Sequence, residues 1–132
     1  MKNYFSRLLA LVLAVSLCLF GCASSPDGLT GNYQQDTLAV VQSLRTAIEL
    51  PEDSPEKAPA QASARVLIND FASRYRRDPA IAKLRSFTTM RTALNGLAGH
   101  YSSYPNRPVP EKLKQRLEQE FDQVEAAVKR GA

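Results

Sequence analysis

The chain has 132 residues, with 17 Lys and Arg against 13 Asp and Glu, two Cys, one His and no Trp. This length allows one domain, and 44% hydrophobic with 23% charged residues is the balance of a chain that folds. Two cysteines exclude a disulfide-dense scaffold and cannot fill a zinc site with one His unless carboxylates help; a net charge of +4, evenly spread, is too small to argue for nucleic acid.

Residues 1–21 read MKNYFSRLLALVLAVSLCLFG. Lys2 and Arg7 form a basic start, and the apolar run from Leu8 to Phe20 is broken only by Ser16. A spanning helix needs roughly 20 apolar residues; this run is shorter and fits the core of a secretory signal. It ends in Leu19-Phe20-Gly21-Cys22, the form of a bacterial lipobox, whose Cys takes a diacylglycerol. We therefore expect a removed lipoprotein signal over 1–21, a flexible tether over 22–31 lipidated at Cys22, and a folded domain over 32–132. The alternative is an uncleaved signal anchor with Cys22 as an ordinary thiol. Processing leaves 111 residues, a balance of 15 basic against 13 acidic, and Cys22 as the sole cysteine. Each buried acyl CH₂ is worth about 0.8 kcal/mol and more than one chain is needed for stable anchoring; a triacylated Cys22, carrying palmitate, meets that condition.

From Leu29 onward the apolar period is helical, and proline marks the boundaries. The first segment runs from about Tyr33 to Glu49, capped by Asn32, with Leu38, Val41, Leu44 and Ile48 on one face. The second runs from about Pro55 or Pro59 to Arg77 with Ala64, Leu67, Ile68, Phe71 and Tyr75 as its stripe; Pro59 predicts an irregular start and firm helix only after it. The third starts at Asp78-Pro79 and runs to about Tyr101, with a restart capped within Ser86–Thr89; Gly96 and Gly99 either allow close packing or fray its end. The fourth has Pro110 as first residue, the stripe Leu113, Leu117, Phe121, Val124 and Val128, and Gly131 at its stop. Four amphipathic helices with short connections predict an all-α, up-down-up-down four-helix bundle.

Catalytic chemistry finds little footing. His100 is the lone imidazole and reads as a cap or packed side chain. No Gly-x-Ser-x-Gly turn presents Ser102 or Ser103, and no glycine-rich phosphate loop occurs. Glu118, Glu120, Asp122 and Glu125 are the dense acidic cluster, and their spacing fans them around more than one face, against a defined metal site. We expect no enzyme, no metal and no cofactor. Arg74, Arg76, Arg77, Lys83, Arg85 and Arg91 span the second junction as a solvated surface, or as a dock for an acidic partner or phospholipid headgroups. The last helix places Lys112, Lys114 and Arg116 before its acids, against the helix dipole, with Lys114–Glu118 and Arg116–Glu120 pairs as compensation. The loop from Tyr101 to Pro110 joins Tyr and Arg with three prolines, the composition of interface hot spots; its rings either pack over the bundle end or meet a partner.

The stretches Ser43–Ala47, Leu50–Asp53, Ile68–Phe71, Tyr75–Asp78 and, above all, Ser86–Met90 through Ala98–Pro108 resemble the cyanobacterial photosystem II assembly and repair lipoproteins of the Psb27 family, over roughly Leu29 to Arg130. The resemblance implies a compact four-helix bundle, lipid-anchored on the luminal side of the thylakoid membrane. It implies binding to luminal loops of the chlorophyll-binding inner antenna subunit in immature or damaged photosystem II, in support of manganese-calcium cluster biogenesis. The free protein is expected to be a monomer that binds no nucleic acid. Cys22 carries over as the lipidated position, and Arg76, Arg77, Asp78, Tyr104, Asn106 and Arg107 are the candidate partner contacts. The competing reading is a generic envelope lipoprotein that binds a small molecule or ion in a cavity lined by His100 or the acids of the last helix.

Overall fold

The computed structural model describes residues 28–105 and 107–132. Among them every regular element is a helix: α1 Tyr33–Glu49, α2 Lys57–Tyr75, a single turn α3 Pro79–Ala82, α4 Arg85–Ser103 and α5 Glu111–Lys129.

Local chemistry sets the boundaries. Asn32 is extended, and its side-chain oxygen accepts from the Gln35 amide at 3.0 Å, which satisfies one of the first-turn donors of α1. Leu50, held extended by the following Pro51, ends it. The helix α2 begins two residues before Pro59, contrary to the expectation of firm helix only after it. Pro59 is the third helical residue, so its missing N–H is one that lacks an intrahelical acceptor anyway. The carbonyl that its ring would strike belongs to Pro55, outside the helix. Asp78 caps α3 by accepting from the Ala80 amide at 2.9 Å. The expected restart occurs, but at Arg85 behind an extended Leu84 rather than within Ser86–Thr89. Pro110 stands just outside α5, in the capping position, rather than as its first residue. At the far end Gly131 takes φ +76°. Its amide bonds Val128 O at 3.0 Å while the Ala132 amide bonds Ala127 O at 2.9 Å, the paired closure of a Schellman stop.

The long helices form a ring in which α1 touches α2 and α5, and α4 touches α2 and α5. Two sets of contacts fix the direction of each. At one end Tyr33, opening α1, meets Phe71 and Tyr75, closing α2, and bonds Ser86, opening α4, at 2.7 Å; the Ser86 amide in turn bonds Ala132 O beyond α5 at 3.0 Å. At the other end Lys57 Nζ caps the chain after α1 through Leu50 O at 3.0 Å. The expected up-down-up-down bundle follows, with α3 as a spacer between α2 and α4.

The core draws from all four long helices. Val41, Leu44, Phe71, Phe87, Met90, Leu97, Leu117 and Phe121 are sealed from solvent. The α1 face is displaced from the expected stripe: Val40 and Ala47 are buried and Leu38 is only half-buried, as are Leu67 and Leu113. Gly96 and Gly99 sit inside an unbroken helix. A Cβ would meet only ordinary contacts at Gly96 and open space at Gly99, so neither close packing nor fraying explains them. Phe71 is the centre of an aromatic cluster, with ring centroids 5.1 Å from Tyr75, 6.2 Å from Tyr33 and 6.4 Å from Phe87; such pairs add about 0.5–1.5 kcal/mol each beyond area burial. One charge is built into this end. Asp36, 1% exposed, accepts from the Gly31 amide at 3.0 Å and from the Tyr75 hydroxyl at 2.5 Å. Gly31 has φ +91°, and a Cβ there would lie 3.2 Å from the Arg74 guanidinium, so only glycine closes this turn without strain.

Candidate functional site

The antiparallel ring divides the surface into two poles about 28 Å apart, the length of a 19-residue helix. The candidate contact residues do not form one cluster. Arg76, Arg77 and Asp78 are exposed at the pole where α1 and α4 begin. Tyr104 and Arg107 are exposed at the opposite pole, between α4 and α5. Cys22 and Asn106 lie outside the described residues.

The loop after α4 is organised by stacking. Tyr101 turns inward and is 1% exposed, while Tyr104 is 50% exposed, so one ring packs and the other faces outward. His100 lies between them, its ring 6.1 Å from that of Tyr101 and 5.6 Å from that of Tyr104. Its Nε2 reaches the Arg107 carbonyl at 3.3 Å, which ties helix to loop. The Arg107 guanidinium stands 5.8 Å from the centre of the Tyr104 ring, a cation–π arrangement that holds both side chains ready without burying either. From α2, Arg65 donates to the carbonyl of Tyr101 and covers its ring at 5.8 Å. It thereby supplies both a donor and a positive charge to the end of α4. Burial raises the Tyr101 phenol above its ordinary pKa, against the opposing pull of Arg65. Beside this loop a shallow groove of about 260 Å³ runs between α2 and α4, lined by Arg65, Ile68, Asn69, Ala98 and Ser102.

The four acids of α5 occupy more than one face, as expected, but three of them share one. Glu118, Asp122 and Glu125 lie four and three residues apart, on one face, and all converge on Arg45 of α1 at 3.1, 2.8 and 2.5 Å. Arg45 also covers the Phe121 ring at 5.8 Å. Partial burial alone would lower the Arg45 pKa, but the bonds and charge of Glu125 and Glu118 outweigh it and raise it. The three carboxylates are thus paired with the guanidinium, and no group of three His, Cys, Asp or Glu able to hold a metal is found among the described residues. Glu120 points elsewhere and pairs with Arg116 at 3.1 Å, as the four-residue spacing predicted. The Glu118 partner is Arg45, across the bundle, rather than the Lys114 expected along its own helix. His100 is closed in by Tyr101, Tyr104 and the Arg107 carbonyl. Among the described residues no helix is long and apolar enough to cross a membrane.

The family model described as "Photosystem II Pbs27" matches residues 6–128. The "Photosystem II assembly factor lipoprotein Psb27" of Thermosynechococcus vestitus is 61% identical over 132 residues, covering 100% of this chain and 98% of its own. The "Photosystem II lipoprotein Psb27" of Synechocystis is 56% identical over 131 residues, 99% of this chain and 97% of its own. Two solved structures share the architecture. A solution structure of Psb27 from cyanobacterial photosystem II superimposes with a TM-score of 0.77 at 57% identity, over 83% of this chain and 95% of that one. The crystal structure of PSB27 from Arabidopsis thaliana gives 0.73 at 35% identity, over 76% and 98%. With a family model over nearly its whole length, near full-length relatives and the same helical bundle, this chain belongs to the Psb27 family of photosystem II lipoproteins.

Proposed function

We propose that this protein is a photosystem II assembly and repair factor that acts by docking rather than by catalysis. Family membership carries this reading, since the relatives bear the names of assembly and repair factors. The side chains favour a binder: the acids of α5 are taken up in ion pairs with Arg45 and Arg116, and the exposed pair of Tyr104 and Arg107 is pre-stacked beyond the end of α4. In this proposal residues 1–21 are removed as a signal, residues 22–31 form the tether, and the mature monomer is anchored by lipid on Cys22 at the luminal side of the thylakoid membrane. It binds immature or damaged photosystem II through luminal loops of the chlorophyll-binding inner antenna subunit and assists biogenesis of the manganese-calcium cluster.

Tyr104 and Arg107, with Asn106 between them in sequence, are the proposed contacts with the protein partner. Tyr and Arg are the side chains that most often dominate interface energies, because each combines a large contact area with directed polar groups. Asp78 is used as a helix cap, and Arg76 and Arg77 belong to a second, cationic surface at the other pole. The test is co-purification of photosystem II subunits with the tagged full-length protein from solubilised thylakoids. Y104A and R107E should each lower recovery severalfold without changing the helical circular dichroism. Undiminished recovery with both would remove this loop from the contact.

A further inference from the structure

The pole that carries Arg76 and Arg77 is more basic than the sequence run suggests. The fold brings the end of α2, the turn α3, the start of α4 and the end of α5 together. Arg76, Arg77, Lys83, Arg85, Lys129 and Arg130 are all exposed there. Of the acids at this end, Asp36 is sealed beneath Tyr75 and Gly31, and Asp78 caps α3. The opposite pole is mixed: Glu49, Glu52, Asp53, Glu56 and Glu111 are exposed there beside Arg107 and Lys112, and Glu52 pairs with Lys57. The cationic excess is therefore confined to one end of the molecule.

Helix stability explains only part of this. Arg76 and Arg77 after α2, and Lys129 and Arg130 at the end of α5, sit at negative ends of helix dipoles and are favoured there. Arg85 is the first residue of α4, whose first turn carries no acid, so its charge opposes the dipole. Lys83 lies two residues before it, ahead of the capping Leu84. A basic pole that includes cations placed against local helix energetics points to an external anion.

The chain from Cys22 enters the bundle at this same pole. The Gly31 amide is fixed to Asp36, and Gly31 lies against Arg74. Eight residues separate Gly31 from Cys22, nine steps with a reach of at most about 32 Å when fully extended. We propose that the basic pole lies against the membrane and binds anionic lipid headgroups, an electrostatic contact that orients the domain in addition to the attachment supplied by the lipid. The pole then faces the bilayer and the Tyr104–Arg107 loop faces away from it, toward protein. This orientation rests on the proposed lipid at Cys22; the headgroup binding does not.

The test is flotation of the full-length protein, isolated from membranes, with vesicles of phosphatidylcholine alone or mixed with phosphatidylglycerol. Partition into the mixed vesicles should exceed that into neutral ones by more than about a hundredfold and fall toward the neutral value in high salt. Each cation at an anionic surface is worth about fivefold in partition, so the R76Q/R77Q variant should lose about 25-fold of the excess and R85Q/K129Q a similar factor. These side chains are exposed, so circular dichroism should be unchanged. Equal partition into both vesicles, or an excess that survives both double variants, overturns the proposal. It is also overturned if R76Q/R77Q keeps vesicle binding but loses photosystem II, which would assign the pole to an acidic protein. Mass spectrometry of Cys22 separates the two readings: without lipid, partition into neutral vesicles disappears while the anionic excess remains.

Discussion

The contact between Tyr75 and Asp36 is a sharp place to test how this bundle is held. The Tyr75 hydroxyl, on a ring 5% exposed, donates to a carboxylate that is itself 1% exposed. Y75F keeps the ring, its packing against Phe71 and Tyr33, and the volume, and removes only the donor. A hydrogen bond to a charged group contributes about 1.5–3 kcal/mol, and a buried carboxylate losing a donor incurs that cost in full. We expect a loss of about 2 kcal/mol at pH 7, or roughly 10 °C in melting temperature for a domain of this size. Urea denaturation followed by far-ultraviolet circular dichroism measures it. The pH dependence adds a second prediction from the same atoms. Burial first, then the bond to Asp36 and its charge, hold the Tyr75 phenol well above its ordinary pKa of 10.0. Below pH 10 the phenol is neutral in both states and its contribution is complete. Above pH 10 the unfolded chain releases the proton while the folded one retains it, so stability falls, by up to about 1.4 kcal/mol per pH unit for this group, until the folded pKa is passed. Tyr33 and Tyr101, raised chiefly by burial, push in the same direction. The gap between wild type and Y75F should therefore narrow between pH 10 and 11. A penalty under about 0.5 kcal/mol at pH 7, or a gap independent of pH, would refute the reasoning.

Arg45 should be coupled unequally to its three acids. A double-mutant cycle of R45M with E125Q is expected to give about 1 kcal/mol, because both side chains are largely covered, at 20% and 26% exposure. The same cycle with D122N, where the carboxylate is 72% exposed, should give under about 0.3 kcal/mol; equal couplings would contradict the geometry. Two glycines should respond in opposite directions. G99A has open space within a helix and should stabilise by about 0.5–1 kcal/mol. G31A, at φ +91° and against Arg74, should destabilise by at least about 1 kcal/mol, and thermal melts read both. F87A, in the aromatic cluster, should cost about 3–5 kcal/mol.

What the sequence disclosed follows the range of the forces involved. Asn32, Asp78, Pro51 and Gly131 act within a few residues of themselves, so helix number, order and most ends were readable. Pro59 misled because its effect depends on which carbonyl stands four residues earlier, and here that residue precedes the helix. The spacing of Glu118, Asp122 and Glu125 already implied one face. What it could not name was Arg45, more than seventy residues away, because that requires knowing which faces of α1 and α5 meet. The basic run from Arg74 to Arg91 was visible as a run. Its regrouping with Lys129 and Arg130, and the departure of Arg91 along α4, come from antiparallel register alone. The two candidate contact sets likewise read as one list until the bundle set them at opposite ends.

The cluster of Tyr33, Phe71, Tyr75 and Ser86 at the start of α1 also has a mechanical meaning. A domain held by its N-terminal tether takes any pull through Gly31 into Tyr33. The force there would have to strip α1 from its neighbours beginning at the point where three aromatic rings, a hydroxyl pair and the buried Asp36 lock it. Load would arrive at the end of the helix fastened by side-chain bonds to α2 and α4. Under the proposed attachment at Cys22, a pull on the chain would meet this cluster before any other part of α1.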